Sequence, residues 1–96
     1  NYFIQESDLE MEQKIDWDLE YISGVLSDIE TINLPWSELE RVSISIDWDT
    51  ALGRLRRLNP NVFTDKQTAE FASIKRRLSI QKAKIQTLGF LYPMPD

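Results

Sequence analysis

The 96-residue chain contains no cysteine and no histidine. It therefore has no disulfide, no thiolate or imidazole metal ligand, no Ser–His or Cys–His nucleophile pair, and no histidine general base. Most enzyme chemistry needs one of these groups. We therefore predict a protein that is not an enzyme and that carries no cofactor and no metal.

Long apolar runs are also missing. No segment approaches the roughly 18 residues of a membrane span, and none has the basic and apolar regions of a signal peptide. We therefore expect a soluble, cytoplasmic protein with no membrane partner. Because the chain begins with Asn1, we expect an excised domain, a processed product, or foreign residues before Met11.

Basic residues are scarce in the first half of the chain, and acidic residues are scarce in the second half. Residues 1–50 hold thirteen acidic side chains against two basic ones, and residues 51–96 hold three acidic against nine basic. The net charge of −5 thus combines halves of −11 and +6. The polarity predicts either two separate binding surfaces or, as we prefer, two halves that face each other in the fold.

The overall composition of the chain is that of a globular protein. Hydrophobic residues make up 42% of the chain and charged residues 28%, which is enough apolar side chain for one core and too little chain for two. We expect a single helical domain over 1–96, with terminal segments at 1–6 and 89–96.

Three capping boxes mark helix starts. Each places a Ser or Thr three residues before a Glu or Gln, so that two unpaired amides at a helix N-terminus are satisfied. Asn33, Asn59 and Gly89 stand shortly before a proline and mark helix ends, as residues that tolerate left-handed geometry. The predicted fold is an all-α, up-down-up three-helix bundle with helices near 7–32, 37–58 and 64–88. The three boxes are Ser7/Glu10, Ser37/Glu40 and Thr64/Gln67.

Apolar spacing supports helices 1 and 3, but helix 2 is irregular. Helix 1 has a seam from Met11 to Ile29, and helix 3 has one from Phe71 to Leu88, both with three-and-four spacing. In helix 2 the apolar face changes side midway, and residues 42–48 alternate with a period of two. A kink, a break near 43–47 or a short strand is therefore the alternative to a continuous helix.

A weak internal repeat accompanies this irregularity. Ser7-Asp8-Leu9-Glu10 matches residues 37–40, and Ile15-Asp16-Trp17-Asp18 matches residues 46–49 with one residue gained between the matches. Such a gain rotates the rest of a helix by about 100° and is often accommodated by a π-bulge. Duplication and coincidence both remain open.

The doubled Asp-Trp-Asp motif raises the question of a metal site. Two carboxylates two positions apart on a helix point about 200° away from each other and cannot hold one ion. We interpret these acids as solvated charge that also favours a helix N-terminus. The arginines at the end of helix 2 are expected to lie beside the acidic start of helix 1.

Apolar side chains off the core seam are the better indication of function. Trp17 lies roughly opposite the core stripe of helix 1, with Tyr21 on the same flank. An aromatic anchor surrounded by acids is typical of a protein interface. We predict that a basic surface of another protein binds here, through Trp17, Tyr21, Glu10, Glu20 and Asp28.

Helix 3 has a second outward stripe, which we predict as a possible second interface formed by Arg76, Ile80 and Ala83. The chain's own terminal segments, a second copy of the chain or another protein are the candidate covers for these outward faces. The hypothesis is an adaptor, inhibitor, immunity-type or assembly protein, and a self-associating structural domain is an alternative.

Nucleic-acid binding is the other alternative. It would use the basic residues of helix 3, although these spread around the helix without interleaved aromatics, so nucleic acid is not the expected partner. A related form of this alternative is an acidic half that mimics a nucleic-acid backbone. The basic residues are Lys75, Arg76, Arg77, Lys82 and Lys84.

Overall fold

The computed structural model describes residues 6–89, with side chains from Leu9 onward. It contains three α-helices and one short 3-10 helix, and no strand within this range. The predicted helix bounds are confirmed to within two residues. The Ser7 side chain of the first capping box, residues 1–5 and residues 90–96 lie outside the described part. The elements are α1 (Glu6–Thr31), α2 (Glu38–Arg56), the 3-10 helix (Pro60–Val62) and α3 (Asp65–Gln86).

The two later capping boxes are confirmed. The Ser37 hydroxyl accepts from the Glu40 amide at 3.1 Å, and the Glu40 carboxylate accepts from the Ser37 amide at 2.9 Å. Thr64 and Gln67 form the same pair of bonds at the start of α3. Each box therefore satisfies two amides that the helix start leaves unpaired.

The predicted helix ends differ in their backbone geometry. Gly89 is left-handed, with φ of 78°, as expected after a helix. Asn59 is extended, with φ of −117°, and Asn33 is not left-handed either, so neither asparagine uses the geometry that it tolerates. The Asn59 side chain accepts from the Asn61 amide at 3.1 Å and caps the 3-10 helix, which makes the left-handed turn unnecessary.

Contacts between the helices establish the up-down-up order. The end of α2 meets the first half of α1 through Arg54 and Asp18, so these helices are antiparallel. Gln67, at the start of α3, contacts Asp16, and Arg77 further along α3 contacts Glu30. α3 thus runs parallel to α1, which packs against both other helices.

The core is built around α1. The predicted seam is confirmed from Ile15 to Ile29, and Val25 joins it. Met11 is 45% exposed and is not a core residue, because the contacts of α3 with α1 begin at Glu12 and Asp16. The buried apolar residues of the other helices are Ile44, Trp48, Ala51, Leu52, Ile74, Leu78, Ile85 and, just after α3, Leu88.

α2 is a continuous α-helix from Glu38 to Arg56. The alternatives of a strand, a break or a π-bulge near 43–47 are therefore wrong. The helix tolerates the change of apolar face because α1, which packs against it, covers only the side with Ile44 and Trp48. Leu39 and Ile46 face outward and are 79% and 63% exposed.

None of the three α-helices between residues 6 and 89 combines the length and the hydropathy of a membrane-spanning segment.

Candidate functional site

An open groove runs between α1 and α2 on the side of the bundle that α3 leaves uncovered. It consists of two adjoining cavities of about 630 and 320 Å³, which share Asp28 and Asp47. We call it the α1–α2 groove. It is lined on α1 by Trp17, Glu20, Tyr21, Gly24, Val25, Asp28 and Thr31, just after α1 by Ile32, and on α2 by Leu39, Glu40, Ser43, Ile44, Asp47 and Arg54.

Large apolar side chains stand at the two ends of the groove. Trp17 is 57% exposed at one end, and Leu39 is exposed at the other. Between them the buried Val25 and Ile44 contribute apolar surface to the floor. An apolar floor with exposed anchors at both ends is the usual form of a groove that receives a helix.

The groove is negative along its length. Glu20, Asp28 and Asp47 come from its two walls, and Glu40 lies near the Leu39 end. The hydrogen bond from the Ser37 amide lowers the pKa of Glu40, so this carboxylate stays charged well below neutral pH.

The one cation of the groove is already engaged by the protein. The Arg54 guanidinium lies 4.3 Å from the centre of the Tyr21 ring, and its Nη1 donates to Asp18 Oδ1 at 3.2 Å. Arg57 donates to the same carboxylate, which raises the pKa of Arg57. Arg54 therefore neutralises Asp18 beneath the groove and leaves the groove carboxylates without a partner of their own in the lining.

Four of the five predicted binding residues meet in this groove. Trp17, Glu20, Tyr21 and Asp28 all line it, and Glu10 is an exposed residue two turns before Trp17, outside the lining. Tyr21 is half-buried rather than outward, because it packs against the core and beneath Arg54. That these residues bind a partner stays a prediction.

The predicted second interface on α3 is exposed. Arg76, Ile80 and Ala83 all face solvent, and Ile80 is 69% exposed. None of the three lines the α1–α2 groove.

The basic residues of α3 serve different contacts. Arg77 binds Glu30 and two serines of α1, and Lys84 lies 5.9 Å from the centre of the Trp36 ring. Lys75 lies 5.3 Å from the centre of the Phe71 ring. These contacts do not assemble the basic side chains into one surface for a phosphate backbone.

A second groove, between α1 and α3, has a mixed charge. Its volume is about 650 Å³, and it contains the acids Asp16 and Glu70 as well as Lys66 and Arg77. Glu20 and Gly24 border this groove and the α1–α2 groove alike.

The α2 wall was absent from the sequence prediction. Leu39 has no binding role in the sequence analysis, and Asp47 is interpreted there as solvated charge. The predicted antiparallel pairing of helices 1 and 2 is nevertheless a signal that residues near 40–47 lie beside residues near 28–32. The buried Asp18, 3% exposed, was also missed. Among residues 6–89, no three acidic side chains are grouped so as to hold a metal ion.

Comparisons of this chain with protein-family models, with curated proteins and with solved structures find no match.

Proposed function

We propose that this protein is a non-enzymatic interaction module that binds a basic amphipathic helix of another protein in the α1–α2 groove. The observation that carries the proposal is the combination, in one groove, of exposed apolar anchors with several carboxylates and a cation that is already engaged. Adaptor, inhibitor, immunity-type and assembly proteins all act through such a surface.

The length of the groove supports a helix as the ligand. Trp17 and Thr31 are fourteen residues apart on α1, a distance of about 21 Å at the rise of an α-helix. A ligand helix of about four turns would span it and complete a four-helix arrangement. Its apolar residues would recur every three or four positions to reach Trp17, the floor and Leu39.

The backbone of α1 is open where the ligand would approach most closely. Gly24 lies in the middle of α1 and in the lining, and within residues 6–89 no side chain and no other element lies within 4 Å of the position a Cβ would take. Glycine inside a helix costs about 1 kcal/mol relative to alanine. Close approach of a second helix would explain a glycine at this position, since small residues let two helix backbones come together.

The charge of the groove indicates the sign of the partner. Basic residues flanking the apolar stripe of the ligand would meet Glu20, Asp28 and Asp47, which steers association and suppresses acidic partners. Binding is therefore expected to weaken as the salt concentration rises, since exposed charges are screened over about 8 Å at physiological salt.

Affinity capture from a nuclease-treated lysate of the source organism tests the proposal. The wild-type chain is compared with Trp17→Glu, which replaces an exposed anchor by another carboxylate, and with Ile80→Glu as a matched exposed control on α3. The proposal expects a protein that the wild type and Ile80→Glu retain and that Trp17→Glu loses. Circular dichroism must show the same helicity in all three chains.

The basic helical segment of the retained protein is then prepared as a separate peptide. A peptide of that segment should bind the wild type, bind Trp17→Glu at least about tenfold more weakly, and lose affinity with added salt. Binding that depends on Ile80 and not on Trp17, or a partner whose binding segment is acidic, would contradict the proposed groove. Capture of nothing but the chain itself would favour the self-associating alternative.

A further inference from the structure

The outward face of α2 is an apolar stripe that the described helices leave uncovered. Leu39, Val42 and Ile46 follow the spacing of one helical face and are 79%, 45% and 63% exposed. The opposite face, with Trp48 and Leu52, is buried in the core. α2 is thus apolar on both sides, a pattern found in helices that are covered on both sides.

The charges at the two ends of α2 complement each other. The first turn is acidic, with Glu38 and Glu40, and the last turn is basic, with Arg54 and Arg56. Glu40 and Arg54 serve the capping box and Asp18, while Glu38, which is exposed and binds Arg41 one turn along, and Arg56 point to solvent. Glu38 and Arg56 are eighteen residues apart, which is five turns of an α-helix, so both lie on the same flank of the apolar stripe.

A second copy of α2 fits this pattern when the two helices run antiparallel about a two-fold axis. In such a pair, residues on one flank of the first helix meet residues on the same flank of the second, because the surface is paired with itself. Glu38 of each copy then faces Arg56 of the other, and Ile46 lies close to the axis. Two parallel copies would instead place like charges together.

Gly53 gives this face room for a second helix. It lies on the stripe seven residues after Ile46, and among the described residues no side chain and no other element is within 4 Å of the position of an added Cβ. The Leu39 and Val42 side chains of one copy would pack near Gly53 of the other, where the helix has no side chain to hold them away.

We propose that the protein forms an antiparallel homodimer through the outward face of α2, with Leu39, Val42 and Ile46 at its centre and Glu38–Arg56 pairs at its ends. This interface goes beyond the function proposed above and shares only Leu39 with the α1–α2 groove, since most of the groove lies on another flank of α2. Each dimer would thus present two grooves whose Leu39 ends border the dimer interface.

Sedimentation velocity tests the dimer with the full chain. Wild-type protein is run from about 5 to about 500 µM, the range expected for an interface of this modest size. Ile46→Lys is the interface variant, and Ile80→Lys is its competitor, since Ile80 is a similarly exposed isoleucine of the other surface, on α3, that a second copy could cover. Lysine is a good helix former, so both variants should keep the helicity of the wild type.

The expected result is a concentration-dependent dimer of the wild type and of Ile80→Lys, with dimerisation at least about tenfold weaker for Ile46→Lys. A wild type that is monomeric throughout the range, for example because another segment of the chain covers α2, overturns the proposal. Loss of the dimer with Ile80→Lys but not with Ile46→Lys overturns it as well.

A charge-swap experiment tests the antiparallel arrangement. Glu38→Lys and Arg56→Glu each create two like-charge pairs in their own homodimer, and each should weaken it by about tenfold. An equimolar mixture forms two opposite-charge pairs in the heterodimer and should regain wild-type association. Two variants that stay weak when mixed would overturn this pairing of the helix ends.

Discussion

The Nε of Arg57 lies 3.0 Å from Asp18 Oδ2, and its Nη2 lies 2.6 Å from Oδ1, so the guanidinium holds the carboxylate with two bonds. Asp18 is almost fully buried and also accepts from Arg54. One carboxylate of α1 thus fixes the end of α2, and fork-shaped pairing of this kind is stronger than a single ionic contact.

Asp18→Asn should therefore destabilise the fold. The neutral amide no longer balances two guanidinium groups, and removing one partner of a buried pair costs more than the pair contributes. Because both arginines remain partly exposed, we expect a loss of about 2 kcal/mol in the free energy of unfolding, measured by urea denaturation.

The control for this prediction is Asp49→Asn, an exposed aspartate of the second Asp-Trp-Asp motif. It should change the free energy of unfolding by less than about 0.5 kcal/mol. Equal effects of the two substitutions would contradict the role given to Asp18.

Gln67→Glu should destabilise the bundle at neutral pH. Gln67 is 1% exposed, and its Nε2 donates to the Glu12 carbonyl at 3.0 Å and to Asp16 Oδ1 at 2.8 Å. Glutamate keeps the capping bond from the Thr64 amide but places a carboxylate against these acceptors. We expect a loss of about 2–3 kcal/mol by urea denaturation.

The same variant should regain part of its stability in acid, where a protonated glutamate donates again. Gln13→Glu, at an exposed position of α1, adds the same charge and should stay within about 0.5 kcal/mol of the wild type. A Gln67→Glu chain as stable as this control would show that the buried bonds to α1 contribute nothing.

The Glu30–Arg77 pair should make stability depend on pH. The hydrogen bond from Arg77 lowers the pKa of Glu30 below its ordinary value of 4.5. A carboxyl whose pKa is lowered by folding stabilises the protein above 4.5, and this contribution is lost as the pH falls through the lowered value. The free energy of unfolding should therefore fall on acidification below about pH 4.5, with Glu40 contributing in the same direction.

Glu30→Gln should reduce this acid dependence, and the readout is urea denaturation at several pH values. Arg77→Met removes the donor and should reduce it by a similar amount, even though it also loses bonds to Ser23 and Ser27. The double variant should show no further reduction. Full additivity of the two effects on the pH slope would mean that Glu30 titrates independently of Arg77.

The two tryptophans of the repeated motif should respond oppositely to truncation. Trp48 is 1% exposed and Trp17 is 57% exposed. Trp48→Ala removes a large core side chain and should cost about 3–5 kcal/mol, a large part of the stability of a small domain. Trp17→Ala should cost less than about 1 kcal/mol. Thermal unfolding followed by circular dichroism distinguishes these outcomes, and a costly Trp17→Ala would mean that the α1–α2 groove is not open.

Replacing either exposed helix glycine by alanine should stabilise the free protein. In the described part of the chain, neither Gly24 nor Gly53 has a side chain or another element within 4 Å of the position of a Cβ, so alanine meets no obstacle. We expect a gain of about 0.5–1 kcal/mol for each substitution in urea denaturation at low protein concentration. Loss of stability in the monomer would mean that the glycines serve the fold itself.

The sequence indicated the fold class because its signals are local. The Thr64/Gln67 box and the three-and-four apolar spacing depend on residues within one or two turns, so they are readable without knowing the partner helix. The antiparallel pairing of helices 1 and 2 followed from a short connection. It correctly implied that arginines at the end of helix 2 would lie near the acids of helix 1.

Only the α1 wall of the candidate site could be predicted from the sequence. Trp17, Glu20 and Asp28 were found because an aromatic and acids off the seam of α1 mark an outward face in one helix alone. The other wall of the α1–α2 groove, with Leu39 and Asp47, depends on how α2 is rotated against α1. The sequence left that rotation open, because α2 carries apolar residues on two opposite faces.

Tertiary packing decided which side chains of the repeated motif are buried. Ile15-Asp16-Trp17-Asp18 and residues 46–49 share nearly the same local sequence, yet Trp17 is exposed and Trp48 is buried, while Asp18 is buried and Asp49 exposed. Local sequence determined by itself that both copies are helical. Only the placement of each helix in the bundle decided which side chain entered the core, because burial depends on the neighbouring helices, whereas helix formation depends mainly on residues within a few turns.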